Sequence, residues 1–596
     1  MAGLFFPFAL QALDKTIIAS ALPFIASDFR KYSSLSKAVC ICLGKLLRRI
    51  STDTLTDELS QLNWIVSSFS LTFAAFIPAW GQFADIFGRH TALQATMVIM
   101  LVGSAICAGS PTSAFPLLLF GRALQGVGAA GIDILSKVVL ADKVSLKENA
   151  KNNSIFAFVG GLSYCAGPAI GGLLTSVSWR WCFILNIPIA LIGIVITFIV
   201  LRKELLGPQK ILGVDDAGSP LENSTSFRTR LGARLATVDY GGQILFLSGM
   251  SLLILALTWG GSTYPWADVH VLAPLIIGAV TFIGFLVWEY LMGPGRVLAL
   301  RYPRKQAMIP TRLLWSRNAG LLCYINFITG MAIFSIFYFI DLYFALVKED
   351  SPSKAGFQLL YYTPGLGVGV CLAMFACNVW PRKTWWPLSL GTIIEPTGIV
   401  LLAVALGTDH LALIYGMLAL SGVGTGIRFM PGTLHGVGYF PRDIAAIVSI
   451  MSLAGSVGGA FALTLMFTIF NNKMQDRGID LRAGSSSSFG GIAGLDETAQ
   501  KYLRDSARDS IRVAMFAMTS FLWLGVPVMG ALGNVDISKG REAEVLQQEE
   551  LDFSENVCKG AYIGSVLRRR KGAMREKEPV GPGHQQTETE RQVDAV

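Results

Sequence analysis

Residues 116–135 read PLLLFGRALQGVGAAGIDIL, a run long enough to cross a bilayer that carries Arg122, Gln125 and Asp133 among four glycines. An ionisable side chain at that depth costs about 2.5–3.5 kcal/mol on insertion scales, so its presence marks a polar pathway through a helix bundle. Outward from this stretch, apolar runs of about 20 residues recur along the whole chain. They fall at about 4–27, 62–84, 91–110, 115–138, 154–176, 182–201, 240–260, 269–291, 318–346, 355–378, 386–407, 411–434, 444–470 and 511–532. Fourteen such spans put both termini on the same side of the bilayer.

Composition agrees with this reading. Of 596 residues 52% are hydrophobic and 15% charged, and the mean hydropathy is +0.53, whereas soluble domains carry about 25% charged residues. The expected class is an all-α polytopic membrane protein. The nine cysteines are dispersed without CxxC spacing, which points to packing rather than to zinc or a disulfide framework, and no metal site is expected. The first apolar segment lacks a basic start and runs directly into a motif containing Asp14, so it reads as a retained span and not as a cleaved leader.

Lys and Arg resist translocation and collect in short cytoplasmic loops. With the N-terminus inside, those loops hold Arg89, then Lys137, Lys143, Lys147 and Lys151, then a cluster from Arg202 to Arg234, another from Arg296 to Arg317, and Arg382 with Lys383. The opposite loops 110–114 and 260–268 hold none. The net charge of +9 is therefore an orientation signal and a contact with lipid headgroups, with no nucleic-acid partner implied. The sequons at Asn152 and Asn223 fall inside and should stay unmodified. Two outside segments break the pattern: polar residues 471–510 read as an extracellular loop, and residues 30–60, with six basic residues, read as an atypical insert.

Internal echoes suggest related halves. GVGAAGI at 126–132 in span four recurs as GVGTGI at 422–427 in span twelve, and AGPAIGG at 166–172 in span five as AGSVGGA at 454–460 in span thirteen. Both pairs are eight helices apart, giving two six-helix bundles with spans seven and eight between them. The expected divisions are an N-terminal bundle 1–201, a cytoplasmic loop 202–238, an extra helix pair 239–291, a loop 292–317, a C-terminal bundle 318–533 and a charged, disordered tail 534–596.

GQFADIFGRHTAL at 81–93 resembles the loop signature of the major facilitator superfamily through Gly81, Asp85, Gly88 and Arg89, while Ile86 and His90 stand where relatives often have basic residues. LDKTIIASALPFI (13–25), FGRALQGVGAAG (120–131), GPAIGG (167–172) and WRWCFILNIPI (179–189) resemble, in order and spacing, the fourteen-span drug:proton antiporter branch. Residues 239–266 are similar to the central span pair of its fungal members, and the resemblance covers roughly 1–535. It implies the major facilitator fold and proton-coupled efflux of drugs, toxins or secondary metabolites.

Physical readings stand beside each motif. Asp85 at a helix end can pair with Arg89 or accept from backbone donors of a neighbouring helix N-terminus, and Gly81 and Gly88 permit close approach and a tight turn, which together make a conformational latch; the plainer alternative is an ordinary charged turn. Asp14, near the middle of span one, is the expected proton-coupling carboxylate, with a packing Asp bonded to Thr16 as the alternative; Lys15 faces elsewhere. Arg122 and Gln125 lie one turn apart on a cavity-lining face, where the guanidinium tunes a carboxylate or holds an anionic group, or else forms a static pair. Gly167, Pro168, Gly171 and Gly172 remove bulk and one backbone hydrogen bond from span five; the resemblance associates them with export. Asp341, Glu395 and Arg428 are intramembrane ionisable candidates outside any matched motif, and Glu289 and Arg428 have snorkelling to an interface as their alternative. Tyr338, Phe339, Tyr343, Tyr361 and Tyr362 line an apolar cavity or pack in the bundle.

The expected protein is no enzyme. It is a monomeric, multi-pass plasma-membrane transporter, with a vacuolar or vesicle membrane as the alternative, that moves a hydrophobic molecule by alternating access. It uses protons and no cofactor, since no GxxxxGK[ST] nucleotide loop is present. A proton-coupled siderophore or nutrient importer and a ligand sensor that does not transport are the alternatives.

Overall fold

The computed structural model describes most of residues 4–18 with Ile25, then 54–207, 234–350 and 352–477 with short interruptions, 497–536, and Val557, Cys558 and Ala561. The long apolar runs form helices because in hydrocarbon every backbone N–H and C=O must be bonded within its own segment. They are α1 (4–14 and 16–18), α2 (Thr54–Phe87), α3 (Arg89–Gly109), α4 (Phe115–Ala141), α5 (Leu146–Thr175), α6 (Arg180–Leu201), α7 (Tyr240–Trp259), α8 (Val269–Leu291), α9 (Arg317–Leu346), α10 (Lys354–Val379), α11 (Trp385–Thr408), α12 (Leu411–Tyr439), α13 (Ile444–Asp476) and α14 (Glu497–Ala531). Among the described residues eleven of these are long and apolar enough to cross a membrane. Helices α1, α2 and α5 occupy the other three expected positions. The chain is an all-α, multi-pass membrane protein.

Local chemistry sets the helix ends. Gly88, at φ 91°, makes the turn between α2 and α3 that a side chain would resist. The Asp239 carboxylate caps α7 by accepting from Gly242 N at 3.1 Å, Ser316 caps α9 through Ala319 N at 3.2 Å, and Asp268 caps α8 through His270 N at 2.8 Å. The hydrogen bonds from His270 hold the Asp268 carboxyl below the usual carboxylate range.

Helix pairing repeats with the offset of eight seen in the sequence echoes. Helix α4 packs on α2 and α3, and α12 packs on α10 and α11. The contact α2–α13 has as its counterpart α10–α5, the same pair with the halves exchanged, as a two-fold relation requires. The echoed glycines make these approaches possible. A methyl group on Gly126 would strike the Phe69 carbonyl of α2, and one on Gly422 the Tyr362 carbonyl of α10; likewise Gly128 abuts Thr96 and Met100 of α3, and Gly424 abuts Glu395 of α11. Helices α7 and α8 pair with each other, and α7 also touches α2 and α13.

Several boundaries differ from expectation. The loop expected at 471–510 is helical at both ends, because α13 runs to Asp476 and α14 starts at Glu497. Leu503, Ala507, Ile511 and Ala514, spaced three or four apart, are buried, and this amphipathic stripe carries the helix beyond its apolar core. Residues 54–60 of the expected insert belong to α2, and the rest of the insert lies outside the described residues. The tail is ordered at Asn534–Val535, which pairs antiparallel with Val557–Cys558. There Val535 is buried, and its carbonyl accepts from the Thr384 hydroxyl at 2.6 Å.

Candidate substrate and coupling site

Asp14 on α1, Arg122 and Gln125 on α4, and Asn186 on α6 meet in one fully buried cluster. The i, i+3 spacing on α4 puts Arg122 and Gln125 on one face, and Arg122 Nη1 donates to Gln125 Oε1 at 2.7 Å. The same nitrogen donates to Asp14 Oδ2 at 3.1 Å, Gln125 Nε2 reaches Asp14 Oδ1 at 3.4 Å, and Asn186 Nδ2 also donates to Asp14 Oδ1. Gln125 is fixed in turn by donating to Ser104 Oγ of α3 at 2.8 Å. Arg122 Nε lies 3.5 Å from the Ile65 carbonyl, and its guanidinium sits over the Phe69 ring with Cζ 4.4 Å from the centroid. The Thr16 hydroxyl, offered as an alternative partner for Asp14, donates instead to the Leu13 carbonyl at 3.3 Å. Lys15 lies outside the described residues. Gln11, one turn before Asp14, is fully buried, with neither amide atom hydrogen-bonded among the described residues.

A carboxylate that among the described residues takes three side-chain donors from two other helices is tied to their relative placement. Removing its charge withdraws the reason for those helices to hold that geometry. Asn186 is the member that sequence reasoning missed; its one signal was an amide within the apolar run of WRWCFILNIPI.

A second polar group sits where α2, α3 and α4 meet α13. Arg89 pairs with Asp85 at 2.5 Å and with Asp142 at 3.0 Å. A methyl group on Gly81 would lie 2.7 Å from Ser449 Oγ of α13, so Gly81 is the close-approach point. Lys137, expected in a loop, is inside α4 and largely buried. Its Nζ donates to Asp133 Oδ2 at 2.8 Å, one turn away, and to Ser452 Oγ of α13 at 2.9 Å. The helix continues past Lys137 because the ammonium has both an acidic neighbour and a hydroxyl across the helix interface.

In the second half Glu395 of α11 and Arg428 of α12 form a fully buried ion pair, and Glu395 also accepts from Thr425, which in turn accepts from the Tyr362 hydroxyl at 2.8 Å. Arg428 therefore does not snorkel, and neither does Glu289, which is fully buried and accepts from Ile309 N at 3.4 Å. Tyr343 and Phe339 are core residues, Tyr362 belongs to the Glu395 network, and Tyr361 stacks on Tyr415 with centroids 3.9 Å apart. Asp341 on α9 is half-buried and joins neither cluster.

The Gly167 to Gly172 stretch lies within α5, where a methyl group on Gly167 would strike Thr16 and Ile17 of α1. The Gly171 carbonyl accepts from the Thr175 hydroxyl at 2.6 Å. The helix continues through Pro168, whose side chain lies outside the described part. Among the described residues no group of three or more His, Cys, Asp and Glu side chains converges as a metal site.

Comparison with known proteins follows the same lines. The chain is 27% identical over 469 residues to the MFS-type efflux pump LUC4 of Fusarium sp, covering 78% of this chain and 72% of that protein. It is 29% identical over 483 residues to the MFS transporter L2 of Phoma sp., covering 79% and 74%. The solved structure of the proton:xylose symporter XylE shares the fold, with a TM-score of 0.51 at 12% identity over 92% of this chain and 98% of that one. The Major Facilitator Superfamily profile matches residues 4–308, which include the Asp14 cluster, the Gly81 to Arg89 turn and the α7–α8 pair. A match over that share of its 596 residues, on a helical bundle whose two halves pair alike, places the chain in the Major Facilitator Superfamily.

Proposed function

We propose that this transporter is a proton-coupled exporter of hydrophobic small molecules in the plasma membrane, acting as a monomer by alternating access. The observation that carries the reading is the buried Asp14, which draws donors from Arg122, Gln125 and Asn186 on two other helices. A proton on Asp14 cancels its attraction for Arg122, and the freed guanidinium and amides let α1, α4 and α6 readjust. Loss of the proton to the other side restores the cluster. One charge crossing 100 mV supplies about 2.3 kcal/mol, enough to sustain accumulation without nucleotide hydrolysis.

Gating falls to the contacts between the halves. Gly81 against Ser449 and Lys137 against Ser452 hold α2 and α4 on α13, next to the Asp85–Arg89–Asp142 group. With Lys and Arg loops inside, this is the cytoplasmic end. The substrate cavity lies between the halves, and the glycine-rich α5, seated on α1, α10 and α12, is the helix whose contacts change as it opens. Export is the favoured direction because curated relatives such as LUC4 are efflux pumps.

The test is efflux of the neutral dye Nile red from energised yeast cells lacking their own pumps. Wild-type protein should extrude it until a protonophore collapses the gradient, and Asp14→Asn should abolish this gradient-driven efflux at equal surface expression. Efflux by Asp14→Asn at the wild-type rate removes Asp14 from coupling.

A further inference from the structure

Helix α13 is tied to the N-terminal half near both of its ends. Its inner end carries Ser449 against Gly81 of α2, and Ser452 accepts from Lys137 of α4. Between Ser449 and Asn471 the helix rises about 33 Å, enough to cross the hydrocarbon. At that outer end Thr464, Thr468 and Asn471 recur at helical spacing and form a polar stripe on one face. The stripe meets the turn between α7 and α8. Asn471 Nδ2 donates to the Gly261 carbonyl at 2.9 Å, and the Thr464 hydroxyl donates to the Leu257 carbonyl at 2.5 Å. Gly261 stands at φ +70°, its N–H bonded to the Tyr264 carbonyl at 2.9 Å, and a methyl group there would lie 2.0 Å from Thr468 Oγ1. Glycine serves this turn twice, through its backbone conformation and through the close approach to α13.

The turn itself belongs mechanically to the N-terminal half. Phe246, Met250 and Ile254 of α7 share one buried core with Phe69, Phe73 and Ile77 of α2. At the inner end Gln243 Nε2 donates to Gln82 Oε1 at 2.9 Å, and Arg234, just before α7, donates to the Ile86 carbonyl at 3.1 Å. A helix packed along its length moves with its neighbour, whereas a contact made at its tip by two hydrogen bonds can open. We propose that the α7–α8 turn is an extracellular catch, an outer gate in which Asn471 and Thr464 hold the C-terminal half closed and whose release lets an exported molecule leave. Rigid halves that rock about a central site part at one face while they stay joined at the other. The serines of α13 serve the cytoplasmic face and its outer polar stripe serves the opposite one. Asn471 carries most of the hold, because Thr464 Oγ1 also lies 2.9 Å from the Ala460 carbonyl of its own helix and turns back to it when the catch opens. The catch rests on the alternating-access reading above and is independent of proton coupling at Asp14.

Opening is read by labelling Thr468→Cys, in a cysteine-free background, with a membrane-impermeant maleimide added outside, since this position lies under the Gly261 turn until the catch releases. Adding Asn471→Ala should raise the labelling rate about fivefold, the effect of one net hydrogen bond. An unchanged rate overturns the catch. Crosslinks give the complementary result, each double variant being compared with itself before linking. Leu257→Cys with Thr464→Cys, joined by a short bis-methanethiosulfonate, should stop Nile red efflux until a thiol reductant releases it. Gln82→Cys with Gln243→Cys, joined in the same way inside the N-terminal unit, should leave efflux unchanged. Efflux that continues across the outer link, or that stops equally with the inner one, overturns the catch. The labelling needs neither substrate nor gradient, which separates the two readings. If Nile red efflux ignores the proton gradient while Asn471→Ala still speeds labelling, the coupling reading fails and the catch stands; if efflux follows the gradient and labelling does not respond to Asn471→Ala, only the catch fails.

Discussion

Replacing Arg122 by Leu should be among the most destabilising single changes in the N-terminal half, and the structure says why. The guanidinium donates to Asp14 at 3.1 Å and to Gln125 at 2.7 Å, and all three side chains are buried. Leucine fills part of the volume but takes the guanidinium from the Asp14 carboxylate, which among the described residues keeps the amide donors of Gln125 and Asn186. Removing one partner of a buried pair costs about 3–5 kcal/mol, because the survivor stays desolvated and uncompensated. Asp14→Asn should cost a similar amount by stranding Arg122, which keeps Gln125, the Ile65 carbonyl and the Phe69 and Phe183 rings but no carboxylate among the described residues. The double variant strands no charge: an asparagine at position 14 can still exchange hydrogen bonds with Gln125 and Asn186. Its cost should be no greater than that of either single change, so the cycle should show a coupling of at least about 3 kcal/mol. Reversible unfolding in mixed detergent micelles, followed by tryptophan fluorescence, reads all four proteins. Single-variant costs that add to within about 0.5 kcal/mol would refute the buried pair as the organising contact.

The other half should behave likewise at Glu395: Glu395→Leu leaves Arg428, whose Nε and Nη1 already have no hydrogen-bond partner among the described residues, without its carboxylate, and should cost about 3–5 kcal/mol, most of it recovered by adding Arg428→Met. Ser452→Ala removes the acceptor for Lys137 across the halves; a loss of about 1 kcal/mol shifts the gate about fivefold toward opening, seen as faster maleimide labelling of Ser449→Cys in a cysteine-free background, and an unchanged rate removes Lys137 from the gate. Gly424→Ala should cost about 1–3 kcal/mol by driving its methyl group into the Glu395 backbone, whereas Gly416→Ala on the same helix, with open space around it, should be neutral or slightly stabilising; equal effects would contradict the close packing of α11 on α12.

Particular residues show what a one-dimensional reading can reach. The turn at Gly88 is local, so glycine between two apolar runs was enough to place it. Arg122 and Gln125 are three residues apart and share a face by helical geometry alone. The pair of Asp133 and Lys137 is equally local, yet Lys137 read as a loop residue because charge near a span end lowers hydropathy whether or not the charge is neutralised. Helical extension of α14 to Glu497 was hidden for a similar reason: its apolar stripe is real, but polar residues around it dominate the average.

The sequence alone determined that this chain lives in a bilayer, where its helices lie and that they repeat after eight, because desolvation of the backbone and side chains is decided segment by segment. It also located the costly charges. Which of them meet was settled only by the tertiary structure: Asp14 finds Arg122 across 108 positions and Asn186 across 172, and Lys137 reaches Ser452 across 315. Such partners depend on how each helix is rotated and how closely glycines let it approach its neighbours. The same rotation decides which buried charges find partners, since a charge inside a bundle takes its meaning from what stands opposite it.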